Sequence, residues 1–480
     1  MADIHQLACH LYSFSPPGLR SVFASGMGYL LRRHRYGRDA EALVEQALER
    51  EYWRPEAWRS WTEDRLAELL RHAAAHVPYY RNHWSERRRS GDCSPLEHLE
   101  NWPVLEKQTI RDQPEAFLAD GNRPSSLSHE TTSGTTGAPI HLWFSARCEQ
   151  LWYALCEARW RRWNGVSRQD RYGMLGAQLV TPISQEVPPF WVWNAPMRQL
   201  YLSAYHLRPE HLHLYLDALA RYRVRYVWGH SASLHALARE ARQSRPDTLR
   251  FKLALSTSEP LRPRQRDDIA AAFHCPVRET YGMAENVVGA SECGHGTLHL
   301  WPDAGHVEFL CGRRRAKPGE IADLVCTGLL NQAMPLIRYR VGDMATAPKP
   351  DLQCPCGRSL PAISPIEGRT SDMLRTADGR FISPSAAEMV FETDLPLAEA
   401  QLVQESLSRI RVRCVPGPGY SRHTEETIRS RIRERIGDLD VVFEEVGQIP
   451  RGAHGKFRAV LSLLPLADTR PTAERDAAHD

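Results

Sequence analysis

Residues 130–139 read Glu-Thr-Thr-Ser-Gly-Thr-Thr-Gly-Ala-Pro. Five of these ten positions carry a hydroxyl and two are glycine. Glycine lets a backbone turn sharply and approach a ligand closely. Successive backbone N–H groups and hydroxyls can then wrap an anion such as a phosphate. The same composition also makes an ordinary polar surface loop, so the stretch alone leaves both readings open. No Gly-Lys-Ser/Thr ends it, which excludes the Walker phosphate loop.

Four more segments follow along the chain. They are Glu279-Thr280-Tyr281-Gly282-Met283-Ala284-Glu285, Arg338-Tyr339-Arg340-Val341-Gly342-Asp343, Gly368-Arg369-Thr370-Ser371-Asp372 and Gly455-Lys456. In this order, together with the 130–139 loop, they resemble the motifs of the adenylate-forming enzymes. Those enzymes join a carboxylic acid to ATP as an acyl adenylate. The run His76-Val77-Pro78-Tyr79-Tyr80-Arg81 resembles the phenylacetate–CoA ligase-like branch, especially its capsule-biosynthesis members.

Length and composition set the bounds. At 480 residues the chain exceeds one compact domain. Apolar content of 42% and charged content of 25% are those of an ordinary globular protein. A net charge of +3 leaves no electrostatic footprint for nucleic acid. The basic runs Arg32-Arg33-His34-Arg35 and Arg87-Arg88-Arg89 read first as solvated faces, with a membrane or polymer contact as the second reading. No apolar run is long enough for a transmembrane segment, and the N-terminus lacks the pattern of a signal peptide. Eleven irregularly spaced cysteines argue against a disulfide framework. The expected location is cytoplasmic, with reduced thiols.

Residues 1–115 read as helical and aromatic-rich. After Thr62, Leu66, Leu69, Leu70, Ala73 and Val77 recur at helical spacing, and Pro78 ends that helix. From about 125 to 345 short apolar runs alternate with helical stretches. Examples are Tyr226-Val227-Trp228 before Leu234–Ala241, and Leu253-Ala254-Leu255 before Arg264–Phe273. This alternation predicts a layered α/β domain with ligand loops at strand ends. Farther on, Ile410, Val412 and Cys414 alternate with arginines as a half-buried strand does. Thr424 reads as a helix start, with Ile428, Ile432 and Ile436 following, and Val441-Val442-Phe443 reads as another strand. The expected organisation is α/β. A large N-terminal adenylation domain spans residues 1–368, a small mobile α+β domain spans 369–466, and 467–480 form a disordered tail.

The resemblance implies roles residue by residue. Thr132, Ser133, Thr135 and Thr136 would offer hydroxyls, and Gly134 and Gly137 flexible backbone, to the ATP β- and γ-phosphates. Ile140 stands where most of the superfamily has a lysine, as in other members of the branch. Ser258-Glu259-Pro260 resembles the turn whose backbone lines the nucleotide. Thr280, Tyr281, Gly282 and Met283 belong to the segment in which Tyr281 stacks on adenine and Glu285 holds Mg²⁺. Asp343 would bind the ribose hydroxyls, with Arg369 beside it. The hinge falls near Ser371 and Asp372. Lys456 would reach the reacting carboxylate and the α-phosphate, a task suited to a point charge on a long stem.

The acid is expected near Trp228-Gly229-His230, with Trp191 and Trp193 as further candidates for a flat aromatic pocket. The branch favours aryl or arylacetic acids. The acyl group would pass to CoA, a carrier-protein thiol or an amine. Two cysteine knuckles, Cys293-Gly294-His295 and Cys354-Pro355-Cys356-Gly357, suggest a structural tetrahedral Zn²⁺, with His299 as the alternative to His295. The competing function is a catalytically degenerate nucleotide-binding protein in a polysaccharide or natural-product pathway. Lys456, Asp343 and Glu285 favour the enzyme.

Overall fold

The computed structural model describes residues 12, 15–132, 140–176, 178–244, 248–349, 354–369, 372–377, 381–382, 384–391, 395–450 and 457–464. The N-terminal part is helical: α1 Pro17–Arg35, α2 Ala40–Arg50, α3 Pro55–His76, α4 Pro78–Arg89 and α5 Lys107–Asp112. The α3 helix starts earlier than its apolar repeat suggested, at Pro55. Pro78 both ends α3 and opens α4, because a proline at the first helical position gives up an N–H that has no partner there anyway. The tail from 467 lies outside the described residues.

A hairpin, β1 Ser128–Thr131 and β2 His141–Phe144, carries the hydroxyl-rich loop between its strands. Helix α6, Ala146–Leu155, follows and runs on as a π-helical turn over Cys156–Arg161.

The centre is a nine-stranded sheet. Its strands are β3 Tyr172–Gly176, β4 Trp191–Asn194, β5 Gln199–Ser203, β6 Tyr226–His230, β7 Leu253–Thr257, β8 Val277–Gly282, β9 Gly289–Glu292, β10 Leu298–Leu300 and β15 Ala362–Ile363. Their order is β15-β10-β9-β8-β7-β6-β3-β5-β4, and β5, β3, β6, β7 and β8 run parallel. Period-two alternation builds a layer on each face. Val227 and Ala254 point to the layer of α7 Leu212–Arg221, α8 Ser231–Ser244 and α9 Pro263–Phe273. Tyr226, Leu253 and Leu255 point to the other layer, against Leu43, Val44 and Ala47 of α2 and Leu155 of α6.

A five-stranded antiparallel sheet packs beside it: β11 Gly305–Cys311, β12 Arg314–Arg315, β13 Ile321–Gly328, β14 Tyr339–Thr346 and β16 Ile366–Arg369. Its Leu324 and Tyr339 share one core with Leu69, Leu70 and Ala73 of α3 and with Leu142 and Phe144 of β2. After a short ribbon of β17 Leu374–Arg375 and β18 Phe381–Ile382 and the short helix α10 Pro384–Glu388, the chain forms a four-stranded sheet of β19 Leu397–Ser406, β20 Arg409–Pro416, β21 Asp440–Glu445 and β22 Val460–Ser462. Helix α11, Arg422–Arg435, covers it through Ile428 and Ile432. Ser421, not Thr424, is the N-cap of α11. Thr424 sits at the third helical position and closes the capping box.

The junction of the two larger sheets is tight. A Cβ on Gly305 would lie 1.9 Å from the Val287 carbonyl oxygen. Gly305→Ala should therefore cost about 3 kcal/mol of stability, because the obstacle is backbone and cannot swing away. Urea unfolding of the variant measures this.

Candidate active site

The loops leaving the carboxyl ends of β6, β7 and β8 open onto a cleft of about 660 Å³. Ligands in open α/β sheets sit at such strand ends. Ser258, Glu259 and Pro260 follow β7. Ser258 adopts φ +68°, a left-handed conformation uncommon for a residue with a Cβ. Glu259 accepts from Ser231 Oγ and Ala232 N, both at 3.2 Å, and from the backbone N–H of Phe457 at 3.1 Å. That last bond ties the C-terminal segment to the mouth of the cleft.

Two carboxylates are fixed by phenols. Tyr281 donates its hydroxyl to Asp343 Oδ2 at 2.8 Å, across from β8 to β14. Tyr339 donates to Glu285 Oε1, also at 2.8 Å. Burial pushes the Asp343 carboxyl upward, opposed by the Arg369 guanidinium, whose Nε lies 3.8 Å from Oδ1. Thr280, by contrast, turns inward, and its hydroxyl donates to Ser256 O at 2.9 Å. Gly282 lies against the aromatic wall, where a Cβ would make an ordinary 3.4 Å contact with the Trp152 ring. Met283, Trp228, Gly229 and His230 also line the cleft. Gly229 cannot carry a side chain, since a Cβ would lie 2.7 Å from Leu175 O.

Thr132 holds the base of the hydroxyl-rich loop. Its N–H donates to Ile140 O and its hydroxyl accepts from Ile140 N, both at 3.1 Å. Ser133, Gly134, Thr135, Thr136 and Gly137 lie outside the described residues, as do Ser371 and Lys456. Asp372 is described and pairs with Arg458.

Several cleft residues carried no motif. Lys107 Nζ sits 3.6 Å from Glu285 Oε1. It is brought there because Leu105 is stitched to β14, donating to Arg338 O at 2.9 Å and accepting from Arg340 N at 3.0 Å. Glu149, Trp152 and Tyr153 share one face of α6 at helical spacing, and Trp160 follows from the π-turn. Their one legible signal was that spacing, directly after the hairpin. Trp191 and Trp193 do not line the cleft. They lie on the edge strand β4 and pack against the core beside α7.

Glu279 also lines the cleft. Burial pushes its carboxyl up to about 7, aided by Glu292 and opposed by Arg266. Arg266 is already committed to Glu292, with two contacts of 2.9 Å.

A second group of donors lies where β9, β10 and the Cys354–Cys356 turn meet. Cys293, His299, Cys354 and Cys356 place their ligand atoms within 4.8 Å of one another. Cys293 Sγ and Cys354 Sγ are 3.5 Å apart, and Cys356 Sγ is 3.4 Å from His299 Nε2. His299 Nδ1 faces Leu360 O at 2.9 Å, a bond that leaves Nε2 to the thiols. His299, not His295, completes the group. His295 is exposed at the turn between β9 and β10, whereas His299 is 1% exposed on β10 itself. Three sulfurs and one imidazole suit a borderline-soft cation, and a Zn–S tetrahedron has edges of about 3.8 Å.

A profile of the AMP-binding enzyme family matches residues 59–315, more than half of the chain. The chain belongs to the AMP-binding enzyme family. A CapK C-terminal domain profile matches residues 374–462 of this AMP-binding enzyme. Protein CapK of Staphylococcus aureus is 24% identical over 461 residues, covering 95% of this chain and 99% of that protein. A phenylacetate–coenzyme A ligase of Thermus thermophilus is 25% identical, covering 85% and 97%. A crystal structure of 2-hydroxyisobutyryl-CoA ligase in the postadenylation state superposes with a TM-score of 0.64 at 21% identity, covering 86% and 91%. The chain is thus an adenylate-forming ligase of the branch that holds phenylacetate–CoA ligases and CapK. Among the described residues no helix is long and apolar enough to cross a membrane.

The Glu279 carboxyl sets a pH dependence. Its folded pKa is raised, so the unfolded chain ionises first, and stability falls as pH rises from the ordinary carboxylate range to about 7. Glu279→Gln should remove that loss, narrowing the stability difference between acid and neutral pH by about 3 kcal/mol. Chemical denaturation of both proteins across this range checks it.

Proposed function

We propose that the cleft binds ATP and a carboxylic acid and joins them as an acyl adenylate. An acid oxygen attacks the α-phosphorus, the bond to the bridging oxygen breaks, and pyrophosphate leaves. The observation that carries this reading is the convergence of Tyr281, Glu285, Asp343 and Glu259 on one cleft at the ends of parallel strands. Each is held by a hydrogen bond rather than by chance proximity.

Asp343, held under Tyr281 and near Arg369, accepts from the ribose hydroxyls. Glu285 offers an oxygen ligand to Mg²⁺, which screens the phosphate charge. Thr132 anchors the loop of Ser133, Gly134, Thr135, Thr136 and Gly137 around the β- and γ-phosphates. Ile140 leaves that loop without a lysine, and Lys107, beside Glu285, supplies a cation on this side of the cleft. Lys456 supplies the second, at the reacting carboxylate and α-phosphate. Neutralising charge as it spreads in the transition state is the main task of such a site.

The acid lies against Trp228, Gly229 and His230, walled by Trp152 and Trp160. The Nε1 groups of Trp160 and Trp228 are buried without an acceptor among the described residues, which suits an acid with an acceptor oxygen. An aryl or arylacetic acid fits such a wall. The acceptor is CoA, the thiol for which the phenylacetate–coenzyme A ligase relatives are named. Its sulfur attacks the acyl carbon and AMP leaves. A carrier-protein thiol or an amine would follow the same path.

The small domain from residue 369 brings Lys456 to the cleft for the first step. Phe457 N–H on Glu259 and Arg262 on Glu388, 2.8 Å apart, are contacts of that arrangement. Zn²⁺ on Cys293, His299, Cys354 and Cys356 is structural, since four protein ligands leave no open position.

ATP–pyrophosphate exchange over a panel of carboxylic acids tests the reaction. Exchange above background with at least one acid is expected, and none with any acid would remove the proposal. Lys456→Ala should lower exchange by at least about a hundredfold while ATP affinity changes little, because the charge acts mainly in the transition state. Elemental analysis should find one zinc per chain. His299→Ala should release it and lower the melting temperature, while His295→Ala should retain it.

A further inference from the structure

Helix α1 sits on the edge strand β4 by its polar face. Ser21 Oγ accepts from Trp193 N at 3.2 Å. Ser25 Oγ donates to Trp193 O at 3.3 Å and accepts from Ala195 N at 3.1 Å. Arg32 Nη1 donates to Pro196 O at 2.8 Å. Arg20 is 6% exposed and bonds Ser15 O and Gln185 Oε1. Gly28 faces Asn194 so closely that a Cβ would lie 1.9 Å from its side-chain oxygen. The basic run at the end of α1 is not simply a solvated face: His34 pairs with Glu149, and the Arg35 guanidinium lies 4.2 Å from the Tyr153 ring centroid.

A helix on a protein surface ordinarily buries its apolar stripe and shows its polar side. Here the sense is reversed. Leu19, Val22, Phe23, Met27 and Leu30 recur at helical spacing on the outward side, and each is between 46% and 64% exposed. The loop tied to α1 through Gln185 adds Ile183 and Val187, 65% and 69% exposed. An exposed apolar surface of this extent marks an interaction site.

Charge selects the occupant. Residues 15–37 hold four arginines and a histidine and no carboxylate; Arg20 is buried and Arg32, His34 and Arg35 are engaged inward, so Arg33 carries the outward charge. Arg33 is exposed, with its guanidinium 5.8 Å from the Tyr29 ring. The neighbouring loop carries one exposed carboxylate, Glu186. Two copies of such a helix would repel, whereas anionic headgroups complement it. An apolar stripe with basic and tyrosyl residues at its margin is how an interfacial helix lies on a bilayer.

We infer that α1 docks this enzyme on an anionic membrane surface. The Leu19–Leu30 stripe enters the boundary between headgroups and acyl chains, and Arg33 meets the lipid phosphates. The inference does not depend on the reaction assigned to the cleft.

Co-sedimentation of the full chain with vesicles tests it. The protein should sediment with phosphatidylcholine vesicles containing phosphatidylglycerol, and far less with phosphatidylcholine alone. The double variant Phe23→Asp/Leu30→Asp should lower the bound fraction at least about tenfold. Arg33→Gln should lower it about fivefold. Both should melt at the wild-type temperature, since the side chains are exposed. Met27→Ser gives a milder probe if the double variant folds poorly. Failure of the wild type to sediment with either vesicle overturns the inference, as does equal sedimentation of wild type and variants. So does a dimer broken by the same substitutions, which would assign the stripe to a second copy.

Discussion

Glu259, Glu279, Glu285 and Asp343 are among the carboxylates that line one cleft, and the ligand expected there is a polyanion. Like charges at close range in a partly desolvated space repel strongly. The structure meets this constraint by giving the carboxylates donors from separate parts of the chain. Tyr281 serves Asp343, Tyr339 serves Glu285, and backbone N–H groups serve Glu259. Glu279 instead rises toward neutrality. Because donor and acceptor lie on different elements, the central sheet, the five-stranded sheet, the N-terminal helices and the C-terminal segment must all meet at this point.

The packing around the cleft follows from that meeting. Trp152, Trp160 and Trp301 cluster with ring centroids 5.3–6.5 Å apart, and Trp160 also meets Trp228. Gly289 lets these rings approach: a Cβ there would lie 2.4 Å from Trp301. Behind the rings runs a buried ionic network. Arg159 pairs with Glu51 and Asp303, and Arg358 reaches Glu51 at 2.8 Å. Replacing one partner would strand a buried charge, so such a network favours one arrangement of elements more than it adds stability. It also fixes the turn of Cys354 and Cys356, since Ser359 N–H donates to Glu51 O at 2.8 Å.

Much of the architecture was legible before any coordinates. The alternation from 226 to 273 predicted β6, α8, β7 and α9 in order, with boundaries that grew by a few residues. The boundaries slipped at helix starts: α3 begins at Pro55 rather than after Thr62, and Thr424 reads as a cap but closes a box begun by Ser421. Tyr281, Glu285, Asp343 and Glu259 were found because each lies in a short contiguous motif. Lys107, Trp152, Trp160 and Glu279's raised pKa were not readable as site features. They reach the cleft through pairings such as Leu105 with Tyr339, 234 residues apart.

The sequence by itself determined the order of strands and helices, the family, and which short motifs line the cleft. These are properties of neighbours along the chain: periodicity, turn residues and contiguous motifs. Tertiary structure alone decided which cation stands beside Glu285, which tryptophans wall the cleft, and that His299 rather than His295 joins three cysteines. It alone turned the apolar face of α1 outward, because Ser21 and Ser25 bond the edge of β4 and a side chain at Gly28 would not fit against Asn194. Each of these outcomes depends on distances between segments far apart in the chain, and no local pattern of residues encodes such a distance.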